Sequence, residues 1–375
     1  MKKICYVATI PAVVNSFLRD HIQAAAEKYA VTVVCNTEDR HLLSGLNARL
    51  IFMPIKRKPA PWLDLRVVFE LVKLFHQEKF DIVHTHMPKT GLLGMLAAWL
   101  TCVPVRINTF HGEVWATRSG IVRKFFKLLD RLTVSLATHI LVVSPSQRDF
   151  LIKEGVLTPG KANVIGSGSI CGVDSLRFKP DADAKTRIRE SLGISQNAIV
   201  VLFVGRLNRD KGMLDLAQAF NIIAKQQDTV ELLLVGAEED VPFVQIKDIC
   251  ADHGAHLHYV KFTNQPEAYM AAADVFCLPS YREGFGVVVI EAASCGLPAV
   301  ASRIYGITDA VSDGETGMLF KAGDIDELTK ALLTLIKDSS LRLKLGEAAR
   351  LRVLEKFQSQ KITDEMMLFY RKLLP

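Results

Sequence analysis

Short apolar runs of strand length alternate with helix-length segments along this chain, and the alternation stops once and then starts again. In the first half, Ile4–Thr9, Val31–Cys35, Leu50–Pro54, Phe80–His86, Val105–Phe110 and Ile140–Ser144 are predicted strands. Ser16–Tyr29, Leu63–Gln77, Gly91–Leu100 and Ile121–Leu136 are the predicted helices between them. The stretch 170–184 carries Gly172-Val173-Asp174 and Phe178-Lys179-Pro180 and breaks the pattern, so it reads as a linker. Strands then resume at Ala198–Val204, Glu231–Val235, Leu257–Phe262 and Phe276–Ser280, with helices over Leu214–Gln227, Val244–His253 and Ala268–Ala273. Such alternation predicts α/β architecture with parallel, doubly wound sheets. A chain of 375 residues is too long for one ordinary core. The expected domains are 1–178 and 179–359, followed by a helical pattern at Asp364–Leu374.

In doubly wound folds, ligands bind beyond the carboxyl ends of the strands, so those positions carry the functional reading. After the first strand comes Thr9-Ile10-Pro11-Ala12, where a dinucleotide fold would place a glycine fingerprint; a nicotinamide dehydrogenase is therefore disfavoured. His84-Thr85-His86-Met87-Pro88-Lys89-Thr90-Gly91 puts Lys89 at a helix mouth, a position suited to a phosphate. His84 and His86 have no carboxylate or cysteine partner nearby and read as cleft lining rather than metal ligands. His111, followed by Gly112 at another strand end, is equally a loop anchor or a catalytic group.

The second half is more specific. Gly205-Arg206 and Lys211-Gly212 place a guanidinium and an ammonium beyond a strand end, each beside a glycine that permits close backbone approach, which is what a diphosphate needs. Arg282-Glu283-Gly284-Phe285-Gly286-Val287 follows a buried strand and opens a helix, whose free N–H groups and positive end favour an anion. Glu283 lies in that turn, and Glu291 lies about 6 Å along the helix from Val287.

Charge is unevenly shared. Residues 1–178 hold 23 Lys+Arg against 13 Asp+Glu, a net of +10 within a chain of net +6, so an anionic partner is expected on the first half. Arg123, Lys127 and Arg131 recur every fourth residue beside Lys124, with Val122, Phe125, Phe126 and Leu129 largely on another face. That describes either a core helix with a solvated basic side or a helix lying in a membrane surface. The basic, Trp-bearing stretch from Lys56 to Trp62, together with Arg118, favours the membrane, and the interleaved aromatics are too few for single-stranded nucleic acid. No apolar run is long enough to span a bilayer. The N-terminus runs straight into a strand and seven scattered cysteines show no paired spacing, which points to the cytoplasm.

Taken together, Arg206, Lys211, Glu283-x7-Glu291 and Gly284-Phe285-Gly286 make the chain resemble retaining glycosyltransferases of the GT4 type. The resemblance implies a GT-B fold of two facing Rossmann-like domains, with the final helix crossing back to the first. It implies a nucleotide-sugar on the second domain and no metal or other cofactor. By the same resemblance Arg206 and Lys211 hold the diphosphate, Glu291 binds the ribose, and Glu283 with the amides from Gly284 to Val287 holds sugar and phosphates. Phe262 frames the base, and His111 lies near the transferred sugar. His84-Thr85-His86, Lys89-Thr90-Gly91, Thr109-Phe110-His111-Gly112 and Val143-Ser144-Pro145-Ser146 are similar to a narrower branch that extends polyprenyl-diphosphate-linked sugars for O-antigen, capsule or exopolysaccharide. That branch implies a hexose or N-acetylhexosamine from a UDP-sugar, a peripheral position on the inner face of the cytoplasmic membrane, and acceptor or membrane contacts at His86, Lys89, Arg118, Arg123, Lys124 and Lys127. A nucleotide-sugar epimerase of the same fold and a transferase with a soluble acceptor are the competing readings.

Overall fold

β-Branched and other apolar side chains dominate the strands because these are covered on both faces, which leaves no polar alternation to keep. The computed structural model describes residues 1–37 and 39–374 and divides into two units, Met1–Gly172 with the segment from Ser359 onward, and Val173–Gln358.

The first unit contains β1 (Lys3–Val7), a short helix α1 (Pro11–Val13) that runs through a π turn into α2 (Arg19–Ala26), β2 (Ala30–Cys35), β3 (Arg49–Phe52), α3 (Pro61–Glu78), β4 (Ile82–His86), α4 (Pro88–Leu100), β5 (Val105–Phe110), α5 (Gly120–Leu136), β6 (His139–Val142), α6 (Pro145–Lys153) and β7 (Ala162–Val164). Its seven strands are all parallel in the order β3-β2-β1-β4-β5-β6-β7. One face is sealed by α3, α4 and α5, through residues such as Leu71, Phe75, Met95, Val134 and Leu136. The other is sealed by α2 and a late helix from Ser359 to Leu373, whose Ile362, Met366 and Tyr370 pack with Ile22 and Ala25.

The second unit contains α7 (Ala182–Leu192), β8 (Ile199–Val204), α8 (Met213–Ala224), β9 (Val230–Val235), α9 (Phe243–Ile249), β10 (Leu257–Val260), α10 (Pro266–Ala272), β11 (Val275–Leu278), α11 (Val287–Ser294), β12 (Ala299–Ser302), α12 (Ile307–Ala310), β13 (Gly317–Phe320), α13 (Ile325–Lys337) and α14 (Ser339–Lys356). The helix of the first unit that follows is α15 (Ser359–Leu373). The second sheet is also parallel, ordered β10-β9-β8-β11-β12-β13. Strand order reverses at β1/β4 in the first sheet and at β8/β11 in the second, which opens a ligand crevice past the carboxyl ends of those strands.

The α/β class and the doubly wound sheets agree with the sequence. The junction differs: residues 173–178 belong to the second unit rather than the first. Val173 donates its N–H to the Phe357 carbonyl, the Phe178 carbonyl accepts from Ser294, and Arg177 pairs with Glu267. The expected linker is largely ordered, and α7 starts within it where the Asp181 carboxylate caps the Ala184 N–H. Reading along the chain also passed over α6, β7 and the elements from β12 to α14.

Candidate active site

The topology of the second unit selects the loops after β8 and β11. After β8, Asn208 caps a single 3-10 turn by accepting from the Lys211 N–H at 2.9 Å. Gly212 then takes φ +68, and a Cβ there would collide with the Pro279 carbonyl, so only glycine lets α8 start so close to the β11 loop. The two loops are joined where the Tyr281 N–H meets the Asp210 carbonyl at 2.8 Å and Arg282 meets the Asp210 carboxylate at 2.9 Å. Tyr281 also donates its hydroxyl to Asp215 at 2.6 Å.

This stitching brings Lys211 and Glu283 into a direct ion pair, with both side chains mostly buried. The buried Ser280 hydroxyl donates to the same carboxylate oxygen of Glu283 at 2.9 Å. Glu283 is thus fixed by two donors as an acceptor for hydroxyl groups. Gly286, at φ +81, turns the chain into α11, and the helix starts at Val287 without a side-chain cap. Its first N–H groups therefore remain an anion-binding end. Phe285 is buried, packed edge-on against Phe357.

Glu291 lies one turn further along α11. Burial of its carboxyl pushes its pKa up to about 7, a rise that Arg177 partly offsets and Glu267 reinforces. Arg206 stands apart from Lys211 in partnership: its guanidinium holds the Glu239 carboxylate, which also accepts from Asn208 Nδ2 at 2.6 Å. Sequence reasoning missed Glu239, Ser280, Asn208 and Asp210. The acidic run Glu238-Glu239-Asp240 immediately past β9, the neighbour of β8, was the available signal. Gly205 donates its N–H to the Val235 carbonyl at 2.9 Å, closing β8 against β9. Phe262 lies two residues beyond the end of β10, in a loop rather than in the strand, and is 74% exposed.

In the first unit His111 follows β5 directly and is half-buried, and burial lowers its pKa to about 4, so the ring is neutral at pH 7. Its Nε2 lies 3.1 Å from His86 Nδ1, and its ring is tilted against Phe17. His86 and His84 are corrections to the cleft-lining and acceptor readings. β4 is covered on both faces, so both rings are buried and held well below the ordinary histidine range by that burial. His84 joins Tyr370 of α15 at 2.6 Å to Thr109 at 2.7 Å, and His86 supports His111 from below. Between β4 and α4, Met87 takes φ +76, a conformation uncommon for a side chain of its size.

The basic residues assigned to acceptor or membrane also divide. Lys89 does not face outward as a free cation: its ammonium pairs with Asp64 at 2.6 Å and donates to the Lys58 carbonyl at 2.7 Å. Arg123 and Lys127 both hold Glu154, at 2.8 and 2.7 Å, and both cover the Trp115 ring at 5.4 Å. Beneath them the Trp115 indole donates to Asp130 at 2.6 Å, whose burial raises its pKa to about 6. Arg118 and Lys124 are exposed. Arg123 and Lys127 turn inward while Ile121, Val122, Phe125 and Leu128 of α5 face solvent, so α5 is not a core helix with a solvated basic side, the first of the two readings of its sequence.

Comparison with known proteins adds to this geometry. A family model described as Glycosyltransferase Family 4 matches residues 14–169, and one described as Glycosyl transferases group 1 matches residues 184–352. The capsular polysaccharide biosynthesis glycosyltransferase CapM of Staphylococcus aureus is 30% identical over 100% of this chain and 98% of its own. The UDP-Gal:alpha-D-GlcNAc-diphosphoundecaprenol alpha-1,3-galactosyltransferase of Escherichia coli is 29% identical over 98% of this chain and 96% of its own. Among solved structures, sucrose-phosphate synthase from Thermosynechococcus elongatus superposes with a TM-score of 0.81 at 23% identity, covering 100% of this chain and 99% of that one.

Proposed function

Given that the chain belongs to the family 4, group 1 glycosyltransferases, with their GT-B fold, we propose that it transfers a hexose or N-acetylhexosamine from a UDP-sugar to a saccharide carried on a polyprenyl diphosphate. The reaction proceeds with retention and without a metal, serves the assembly of a surface polysaccharide, and takes place at the inner face of the cytoplasmic membrane. The observation that carries the donor half is the Lys211–Glu283–Ser280 cluster at the open end of α11, on the strand pair where the sheet order reverses. The printed acceptors of two relatives support the other half: GlcNAc-diphosphoundecaprenol for the Escherichia coli protein and bacillosaminyl-diphospho-undecaprenol for a Campylobacter jejuni enzyme 25% identical over 92% of this chain.

In this mechanism, negative charge develops on the leaving diphosphate as the sugar departs. Lys211, Arg206 and the first N–H groups of α11 stabilise it, a role in which fixed donors act more strongly than water. Binding exchanges partners: Glu239 and Glu283 hold these two cations, and the diphosphate takes their place on them. Glu283, relieved of Lys211 and still bonded by Ser280, accepts hydroxyls of the sugar. It is not the nucleophile, because the leaving group needs no covalent help: the bond from the sugar to the diphosphate breaks as an acceptor hydroxyl attacks from the same side, and that hydroxyl gives its proton to an oxygen of the departing diphosphate. Glu291 accepts the ribose hydroxyls, and Phe262 offers a face to the base.

The test is incubation with UDP- and GDP-sugars, with and without a polyprenyl-diphosphate sugar, followed by mass analysis of the lipid. Acceptor-dependent gain of one hexose or N-acetylhexosamine is the expected result. Conversion of a UDP-sugar into its epimer without acceptor would overturn the proposal, and transfer to a soluble sugar alone would overturn its acceptor half.

A further inference from the structure

The outer helices of the first unit leave apolar side chains in solvent in a regular order. On α5 these are Ile121, Phe125, Leu128 and Leu132, spaced i, i+4, i+7 and i+11, with Val122 beside the first. On α3 they are Trp62, Leu65 and Phe69, spaced i, i+3 and i+7. Trp62 is 87% exposed and Ile121 85%. Isolated exposed apolar residues need no explanation, but a helix-periodic stripe is the pattern by which a helix seats on a surface. The sheet does not account for it. α3 already meets the core through Val67, Val68, Leu71 and Phe75, and α5 through Phe126, Val134 and Leu136. Each helix therefore has a second apolar face.

The topology sets these faces side by side. α3, α4 and α5 each precede a strand of one parallel sheet and cover the same face of it, so they run in the same sense with their first turns at the edge where β4 and β5 end. α4 packs between the other two, which separates the stripes by roughly 20 Å at ordinary helix spacing. Trp62 and Leu65 lead one stripe and Ile121 and Phe125 the other, both at the edge that carries His111. Exposed cations stand at the same edge: Lys56, Arg57 and Lys58 before α3, and Arg118 and Lys124 around the start of α5.

We propose that these two stripes are the surface on which the enzyme docks to an anionic bilayer, with their side chains entering the lipid interface and the flanking lysines and arginines meeting headgroup phosphates. The inference rests on the membrane reading above and changes which residues carry it. Arg123 and Lys127 are committed to Glu154 and Trp115 and take no part, and docking depends on apolar insertion as well as on charge. A second copy of the chain is the competing occupant of an apolar surface. The cations at the leading edge of both stripes disfavour it, because a symmetric copy would bring like charges together, whereas anionic headgroups complement them.

The test is flotation of the full chain with vesicles of phosphatidylcholine, alone or mixed with phosphatidylglycerol. Two double variants are compared with the wild type, Ile121→Glu with Phe125→Glu and Trp62→Glu with Phe69→Glu, and the thermal unfolding of residues 1–172 with 359–375, followed by hydrogen exchange of the first sheet, serves as the check on folding of the unit that carries them. The wild type should float with the anionic vesicles, and each double variant should lose binding by about tenfold or more while its first sheet stays protected as in the wild type. Wild-type flotation by both variants, no flotation by the wild type, or a wild-type dimer that the substitutions dissociate would each overturn the proposal. Turnover on a detergent-solubilised acceptor separates this from the acceptor reading. If the variants fail to float and neither they nor the wild type glycosylate a polyprenyl-diphosphate sugar in detergent, the docking surface stands and the proposed acceptor does not.

Discussion

Glu291 shows how much a single residue's setting matters. Its carboxyl titrates at about 7 because burial disfavours the charge. If Glu291 holds the ribose hydroxyls as proposed, the ionised form is the better acceptor, and it becomes the major form as pH rises through 7. UDP affinity should therefore increase up to about tenfold between pH 6 and 8, and Glu291→Gln should flatten that profile in calorimetric titrations. Lys211 belongs at the same scale. In the proposed role, Lys211→Ala removes charge that would face the leaving group and leaves Glu283 with Ser280, so kcat should fall by roughly a hundredfold or more with a smaller change in KM, as steady-state rates at saturating donor would report. Arg206, Lys211 and Glu283 stood out in the sequence because ionisable residues beside glycine at strand ends have few structural uses, and Glu291 stood out through its spacing from Glu283 on the helix that follows. Glu239 did not, since its pairing with Arg206 joins loops from different strands. The ion pairs of Lys89, Arg123 and Lys127 were hidden for the same reason. Asp64 and Glu154, which hold them, are close only after folding.

At the scale of elements, periodicity located α3, α5 and most strands but not α13 or α14, and it could not say which apolar face of α5 meets the sheet. The helix has two such faces, and the placement of Trp115 and Glu154 decides between them. The turn after β1 illustrates another limit: Pro11 starts α1, and a π turn bridges it to α2, so helix begins five residues before the expected Ser16. α7, which starts in the presumed linker and runs past it, is held by Arg189. This arginine is 1% exposed and donates to the carbonyls of Ala272, Gln196 and Ala198 and to Asp274 at 2.6 Å. Arg189→Met should cost about 3–5 kcal/mol in urea unfolding of the second unit, because it leaves Asp274 and three carbonyls short of a partner. Donor affinity measured well below the transition should hold.

For the whole molecule, the division at Gly172 and Gln358 predicts unequal independence. Residues 173–358 contain a complete six-stranded sheet with Arg206, Lys211, Glu283 and Glu291. Expressed alone, that segment should unfold cooperatively and bind UDP within a few-fold of the full chain, checked by circular dichroism and calorimetry. Residues 1–172 alone lack α15, and with it the cover over Ile22 and Ala25 and the hydroxyl of Tyr370 that meets His84. α15 sits in the first unit yet is translated after all of the second. On the ribosome, then, the unit that starts first is finished last. Until α15 emerges, one face of the first sheet has only α2 and the turns before it for cover while the second unit is already closed, which makes that interval the time when the nascent chain most needs a chaperone.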